Sequence, residues 1–276
     1  MSGFARTGAQ AIVLLALWLA TAGAARAQEP IRIFVLREHG VTAVSLAQPY
    51  LDRFVALAAA QNGWRSAQGS YLTSRPAAEE AIRRDHPHYA ILSLPAFLAL
   101  RTAHRFEVIG RVEVSLSGGR RYALISRSAG DLAGCKGKSL ATDHAGDARF
   151  VERVVARGQF TLADFQLHAT RRPLQTTRQV LDGQAVCALV DDSQLSELAH
   201  LPGADGVHAV WQSAELPQMV VVALPDAPAK EREAFQKNLP ELCAAEGRAI
   251  CAEVGIVSLA TSSDRDYADA VTAYGD

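Results

Sequence analysis

Short apolar runs alternate with amphipathic stretches along most of the chain. After Pro30, Ile31-Arg32-Ile33-Phe34-Val35-Leu36 is an apolar run of strand length and reads as a buried strand. Residues 45–60 place Leu51, Phe54, Leu57 and Ala58 on one helical face, and Gly63 stops the helix. Residues 64–72 are strand-like. Ser74 then offers a hydroxyl cap, and Pro76 a proline near the start, for a helix over 77–84. Tyr89-Ala90-Ile91-Leu92 is another strand, and 95–102 another helix. Three βα units in succession predict a parallel sheet with helices on both faces.

Residues 106–114 and 122–126 are strand-like and flank a turn at Ser117-Gly118-Gly119. Beyond them the rhythm restarts. Strands are predicted at 139–142, 165–169 and 186–190, with helices at 148–157 and 175–181. The last third differs: strand-like 207–211 and 219–224 precede three helical stretches, around 231–238, 240–253 and 265–274. A single Rossmann domain has no use for such a tail. The pattern predicts an α/β protein of two Rossmann-like lobes joined by crossing strands, with the C-terminal helices packed back on the first lobe. The expected boundaries are 28–116 with 212–276 for the first lobe and 117–211 for the second.

The N-terminus changes the picture by setting a compartment. Arg6 is a positive n-region, residues 11–20 an apolar h-region, and Ala25-Arg26-Ala27 places small residues at a cleavage site. This is the pattern of a secretory signal peptide over 1–27. The apolar run falls short of the roughly 20 residues that a spanning helix needs. The expected mature protein is therefore exported, soluble and periplasmic. The charge of the full chain is nearly balanced, with 28 Lys and Arg against 29 Asp and Glu, and no basic, aromatic-interleaved patch calls for nucleic acid. Four cysteines in an oxidising compartment point to disulfides, for which three connectivities exist. Cys243 and Cys251 flank Gly247 in a stretch able to fold back on itself, and Cys135 and Cys187 then pair or stay free, with Cys135–Cys187 the expected second bond. A zinc site is the rival reading, and no C-x-x-C or histidine spacing supports it.

Four further stretches carry a family resemblance. They are Tyr89-Ala90-Ile91-Leu92-Ser93-Leu94-Pro95-Ala96-Phe97, the run Asp131-Leu132-Ala133-Gly134-Cys135-Lys136-Gly137-Lys138-Ser139-Leu140-Ala141, the strand end Ala188-Leu189-Val190-Asp191-Asp192, and Gly247-Arg248-Ala249-Ile250 followed by Gly255-Ile256. In order and spacing the chain resembles the substrate-binding proteins of phosphate, phosphite and phosphonate ABC transporters. The resemblance implies the type II periplasmic-binding-protein fold, a cleft ligand and an ABC permease as partner. A membrane receptor is the alternative partner, with sensing in place of transport, and a monomer is expected. Phosphonate-binding members carry a Ser-Thr-Ser-like run after the second lobe's first strand; here it reads Thr142-Asp143-His144-Ala145-Gly146-Asp147. Carboxylates where hydroxyls would cradle an anion disfavour a purely anionic ligand.

Open α/β sheets bind ligands beyond the carboxyl ends of their strands. Those positions are Arg37, His39, Ser74, Arg75, Ser93 and Phe97 on the first lobe, and Asp143, His144, Asp147 and Asp191 on the second. The first set is basic and donor-rich, the second acidic, so a ligand carrying both charges is expected. Several have structural readings too: Asp147 complements a helix dipole, Asp192 caps the next helix, and Phe97 belongs to the core. His39 and His144 come from separate lobes and make no metal-ligand spacing. No G-x-S-x-G elbow, P-loop, H-E-x-x-H or dinucleotide fingerprint occurs in the mature chain, so neither an enzyme nor a cofactor is expected.

Overall fold

The computed structural model describes residues 29–38, 44–115 and 118–275. The expected leader over 1–27, together with His39 and Ser117, lies outside the described residues.

The first lobe runs β1 (Ile31–Leu36), α1 (Val44–Asn62), β2 (Ala67–Leu72), α2 (Arg75–Asp85), β3 (Tyr89–Leu92), α3 (Leu94–His104) and β4 (Glu107–Val114). The second runs β5 (Tyr122–Ser126), α4 (Leu132–Cys135), β6 (Ser139–Thr142), a π-helical segment Phe150–Val155, β7 (Gln166–Ala169), α5 (Pro173–Leu181), β8 (Cys187–Asp191), α6 (Asp192–Leu198) and β9 (His208–Gln212). The chain then returns through β10 (Met219–Ala223), α7 (Ala229–Leu242), α8 (Gly247–Glu253), β11 (Ile256–Thr261) and α9 (Ala268–Tyr274). Among the described residues the strands form two sheets, ordered β11-β4-β10-β3-β1-β2 and β7-β6-β8-β5-β9.

In the first sheet β1 pairs in parallel with β2 and β3, as the βα rhythm predicts. The sheet is nonetheless mixed. β10 inserts antiparallel between β3 and β4, and β11 lies antiparallel on the outer side of β4. The alternation in β1 sends Ile31 and Ile33 into the layer under α1 and α7, while Phe34 and Leu36 enter the opposite layer with α3. Fully burying side chains of this size contributes about 1.5–3 kcal/mol each. That opposite layer is continuous with Tyr122, Leu124, Phe150 and Leu189, so one apolar core runs through both lobes.

Local signals set most boundaries. Gly63 takes the left-handed backbone (φ 64°) at the end of α1, and the Trp64 amide donates to the Ala59 carbonyl at 2.9 Å. Ser74 Oγ accepts from the Ala77 amide at 3.4 Å and starts α2 two residues ahead of the expected helix. The stretch read as two helices over 231–253 divides at 243–246 instead of at Pro240, which is carried inside α7. A Cβ on Gly247 would stand 1.9 Å from the Leu242 carbonyl oxygen, so only glycine admits this tight turn.

Two expectations need correction. The tail contains a strand, β11, that the pattern hides: a register shift between Ile256 and Ser258 spaces its buried residues, Ile256 and Leu259, three apart. The C-terminal helices also do not all return to the first lobe. α7 and α8 pack on α1, whereas α9 lies between α3 and the π-helical segment of the second lobe.

Cys135 is bonded to Cys187, and Cys243 to Cys251, with Cα separations of 6.0 and 5.6 Å. The closed loops span sequence separations of 52 and 8 residues. Chain-entropy loss scales with loop length, so Cys135→Ser with Cys187→Ser is expected to cost about 4 kcal/mol, and Cys243→Ser with Cys251→Ser about 2.5 kcal/mol. Urea unfolding of the two double variants checks the order.

His88 Nδ1 accepts from the Arg32 amide at 3.0 Å. Burial first, then the Arg32 charge, lower its pKa from the usual 6.5. The fold thus favours the neutral ring. Its contribution is complete above that ordinary value and is lost as pH falls through the lowered one. His88→Gln is expected to flatten the acid side of the stability profile, read as urea midpoints between about pH 8 and about pH 5.

Candidate ligand-binding site

The carboxyl ends of β1 and β3 face those of β6 and β8 across a cavity of about 270 Å³. Arg37, Glu38, Ser93 and Pro95 line it from the first lobe, and Tyr122, His144, Asp191 and Gln194 from the second. Gly118, Gly119 and Arg120 of one crossing segment, with Pro217 and Gln218 of the other, close its side.

Ser93 is the N-cap of α3, yet its hydroxyl makes no capping bond. The buried Oγ has no hydrogen-bond partner among the described residues, and Ser93 is one of the residues lining the cavity. With the positive end of the α3 dipole behind it, this corner suits an anionic group. Arg37, at the end of β1, lines the same cavity.

Asp191 is built into the opposite wall. Its carboxylate accepts from the Gln194 amide at 2.9 Å, and the Gln194 side chain accepts from the Asp191 amide at 2.9 Å. This capping box starts α6, so Asp191 takes the capping role expected of Asp192. Asp192 instead accepts from the Arg120 amide at 3.3 Å. A Cβ on Gly118 would lie 3.0 Å from Asp191 Oδ2 and 3.8 Å from Arg37 Nη2. Opposite charges from the two lobes therefore converge on one point of the crossing segment.

The two carboxylates expected in the anion cradle are placed otherwise. Asp143 faces inward, its side chain only 1% exposed, and accepts from Thr176 Oγ1 at 3.0 Å and Gln194 Nε2 at 3.4 Å. Asp147 is neutralised: Arg75 Nη2 of the first lobe reaches its Oδ2 at 2.7 Å, while Arg75 Nε meets Glu38 Oε1 at 2.9 Å. Burial disfavours the Arg75 charge, but Glu38 and Asp147 outweigh it and push the pKa up. Asp147 Oδ1 also accepts from the Phe150 amide at 3.0 Å, which gives it the helix-start role as well. Arg75, Asp143 and Asp147, with Ser74, line a second cavity of about 270 Å³ beside the first, and His144 borders both. Phe97 is a further correction: it is fully buried against the Tyr267 ring, because α3 turns that face to the core and only Leu94 and Pro95 at its start reach the cleft.

Sequence reasoning missed Glu38, Gly118, Arg120, Tyr122 and Gln194. Gln194 was readable as the fourth residue of a D-x-x-Q capping box. Tyr122 is completely buried, its ring edge-on to His144 at 5.1 Å. Burial, then Asp191, Asp192, Asp143 and Glu38, raise its pKa, so the phenol stays protonated.

Two α/β lobes, two crossing segments and a polar cavity at the strand ends define a type II periplasmic binding protein. Residues 59–267 match the family described as ABC transporter, phosphonate, periplasmic substrate-binding protein, and the chain belongs to that family. Solved structures agree on the fold. A binding protein component of an ABC phosphonate transporter from Pseudomonas aeruginosa is 15% identical, with a TM-score of 0.63 over 86% of this chain and 83% of that one. The Xanthomonas citri protein XAC2383 bound to ATP gives 11% identity and 0.66 over 89% and 97%. PhnD1 from Prochlorococcus marinus in complex with methylphosphonate gives 9% identity and 0.62 over 86% and 94%. No curated protein sequence matches the chain.

The Arg75–Asp147 contact joins the lobes directly. Asp147→Asn is expected to weaken the closed arrangement by about 2 kcal/mol. Small-angle scattering of the ligand-free variant should then show a larger radius of gyration than the parent protein.

Proposed function

We propose that this protein captures a small zwitterion in its interlobe cleft and delivers it to an ABC permease. The observation that carries this reading is the convergence of Arg37 and Asp191 on Gly118, beside the buried Ser93 hydroxyl at the start of α3. The acid group of the ligand meets Arg37, Ser93 Oγ and the α3 dipole; its amine meets the Asp191 carboxylate. The zwitterionic reading thus rests on Asp191, which lines this cavity, whereas Asp143 turns to Thr176 and Asp147 to Arg75. The methylphosphonate held by the Prochlorococcus relative supports an acid group of that kind at one end.

In this reading residues 28–116 and 212–276 form one lobe and 117–211 the other, rotating about the crossing segments. The chain is exported, with Arg6, the apolar run 11–20 and Ala25-Arg26-Ala27 as a cleaved leader.

Calorimetry against phosphate, methylphosphonate, glycine and aminomethylphosphonate tests the reading. Ligands bearing the amine are expected to bind at least about tenfold tighter than methylphosphonate, as one charge-assisted hydrogen bond predicts. Equal or tighter binding of methylphosphonate overturns it. Asp191→Asn is the matched variant: asparagine caps a helix as well as aspartate, so stability should hold while the preference for amine-bearing ligands disappears. Arg37→Gln should weaken every anionic ligand, by about tenfold or more.

A further inference from the structure

Beside the polar cleft lies a larger and mostly apolar cavity, of about 430 Å³, between α1 and the carboxyl edge of the first sheet. Leu51, Phe54, Tyr71, Ile91, Val114 and Ile256 are among its walls. The two cavities have Arg37, Val112, Val114 and Met219 in common, so they adjoin along the ends of β4 and β10, with Arg37 at the junction. The apolar cavity is held open by fixed elements. Gln48 ties α1 to β2, accepting from the Tyr71 amide at 3.1 Å and donating to the Gly69 carbonyl at 2.8 Å. A Cβ on Gly69 would meet Leu51 and Val55 at 2.9 Å, so helix and strand already touch along this edge.

An apolar space of this size next to a two-charge site has a specific chemical complement. The charged groups are held where Arg37, Ser93 and Asp191 are; of the charged side chains in the neighbouring wall, Arg37 sits at the junction and Glu253 is paired with Arg53, so the part of a ligand that gains most by entering is one without charge. We propose that the ligand is a zwitterion whose acid and amine share one carbon bearing an alkyl or aryl substituent, and that this substituent enters the cavity under α1. This rests on the proposed reading of the cleft. A carboxylate or a phosphonate satisfies the acid position equally, so the substrate class is an apolar α-amino acid or α-aminophosphonate.

Calorimetry with two homologous series tests the inference on the intact protein. One runs from glycine through alanine, 2-aminobutyrate and norvaline to norleucine; the other from aminomethylphosphonate to 1-aminobutylphosphonate. Each methylene that enters the cavity should tighten binding about fourfold, equivalent to about 0.8 kcal/mol. The series showing the gain identifies the acid group. Ala47→Trp fills the cavity from α1 and should abolish the gain, while the unsubstituted first members report that the variant is folded. Affinity that stays flat or falls along both series, while a first member binds, overturns the inference and leaves the zwitterion reading standing. A gain that survives Ala47→Trp overturns the placement in this cavity. Failure of every member to bind overturns the zwitterion reading and the inference together.

Discussion

Val220, Val221 and Val222 are wholly buried in β10, the strand that brings the chain back from the second lobe into the middle of the first sheet. With β3 on one side and β4 on the other, β10 cannot leave without breaking two ladders and opening both apolar layers. The return crossing is therefore anchored at the centre of the first lobe, and the outgoing one follows from β4, its neighbour. Lobes tied in this way can rotate about the crossings but cannot come apart. The polar ends of β1, β3, β6 and β8 must face each other, and the cleft is a consequence of that topology.

The same constraint decides how charge is managed in the cleft. Two lobes closing on one another take carboxylates and guanidiniums out of water, which is unfavourable for each unless it is partnered. Asp143 is answered by Thr176 and Gln194, Asp147 by Arg75, and Glu38 by the same arginine. What remains turned to the cavity is the Arg37–Ser93 corner and the Asp191 wall. The site thus brings opposite charges from the two lobes to the wall of one cavity.

Much of the fold was legible in the sequence, because β1, β3, β5 and β8 are buried on both faces and read as continuous apolar runs of strand length. The helices of the first lobe announced themselves through Gly63, Ser74 and Pro76. β11 was not legible: its bulge breaks the period of two, and its edge position leaves Val257 half exposed. Strand-end logic singled out Arg37, Ser93 and Asp191, each directly from where a strand stops, and all three line the cavity. It put Asp191 ahead of Asp143 only where the family motif agreed with the strand end. Both end strands, and only the packing of α5 and α6 turns the first carboxylate inward and leaves the second at the cavity wall. Gly118, Arg120 and Tyr122 join the site through the crossing itself, a long-range feature that no local pattern encodes.

The Arg75 bridge bears on how such a cleft works. A ligand can shift an open–closed equilibrium only by the difference in its affinity for the two states. Where protein contacts alone already favour closure, less of the ligand's interaction energy is drawn into moving the lobes and more appears as affinity. Glu38 and Asp147 approach Arg75 from different lobes, so this bridge is a protein contact of that kind. The bridge also lies beside the adjoining cavity with Ser74 and Pro76, outside the Arg37–Asp191 corner. Arg75 and Asp147 thus bear on closure and Arg37 and Asp191 on ligand choice, while Glu38, which lines both cavities, links the two.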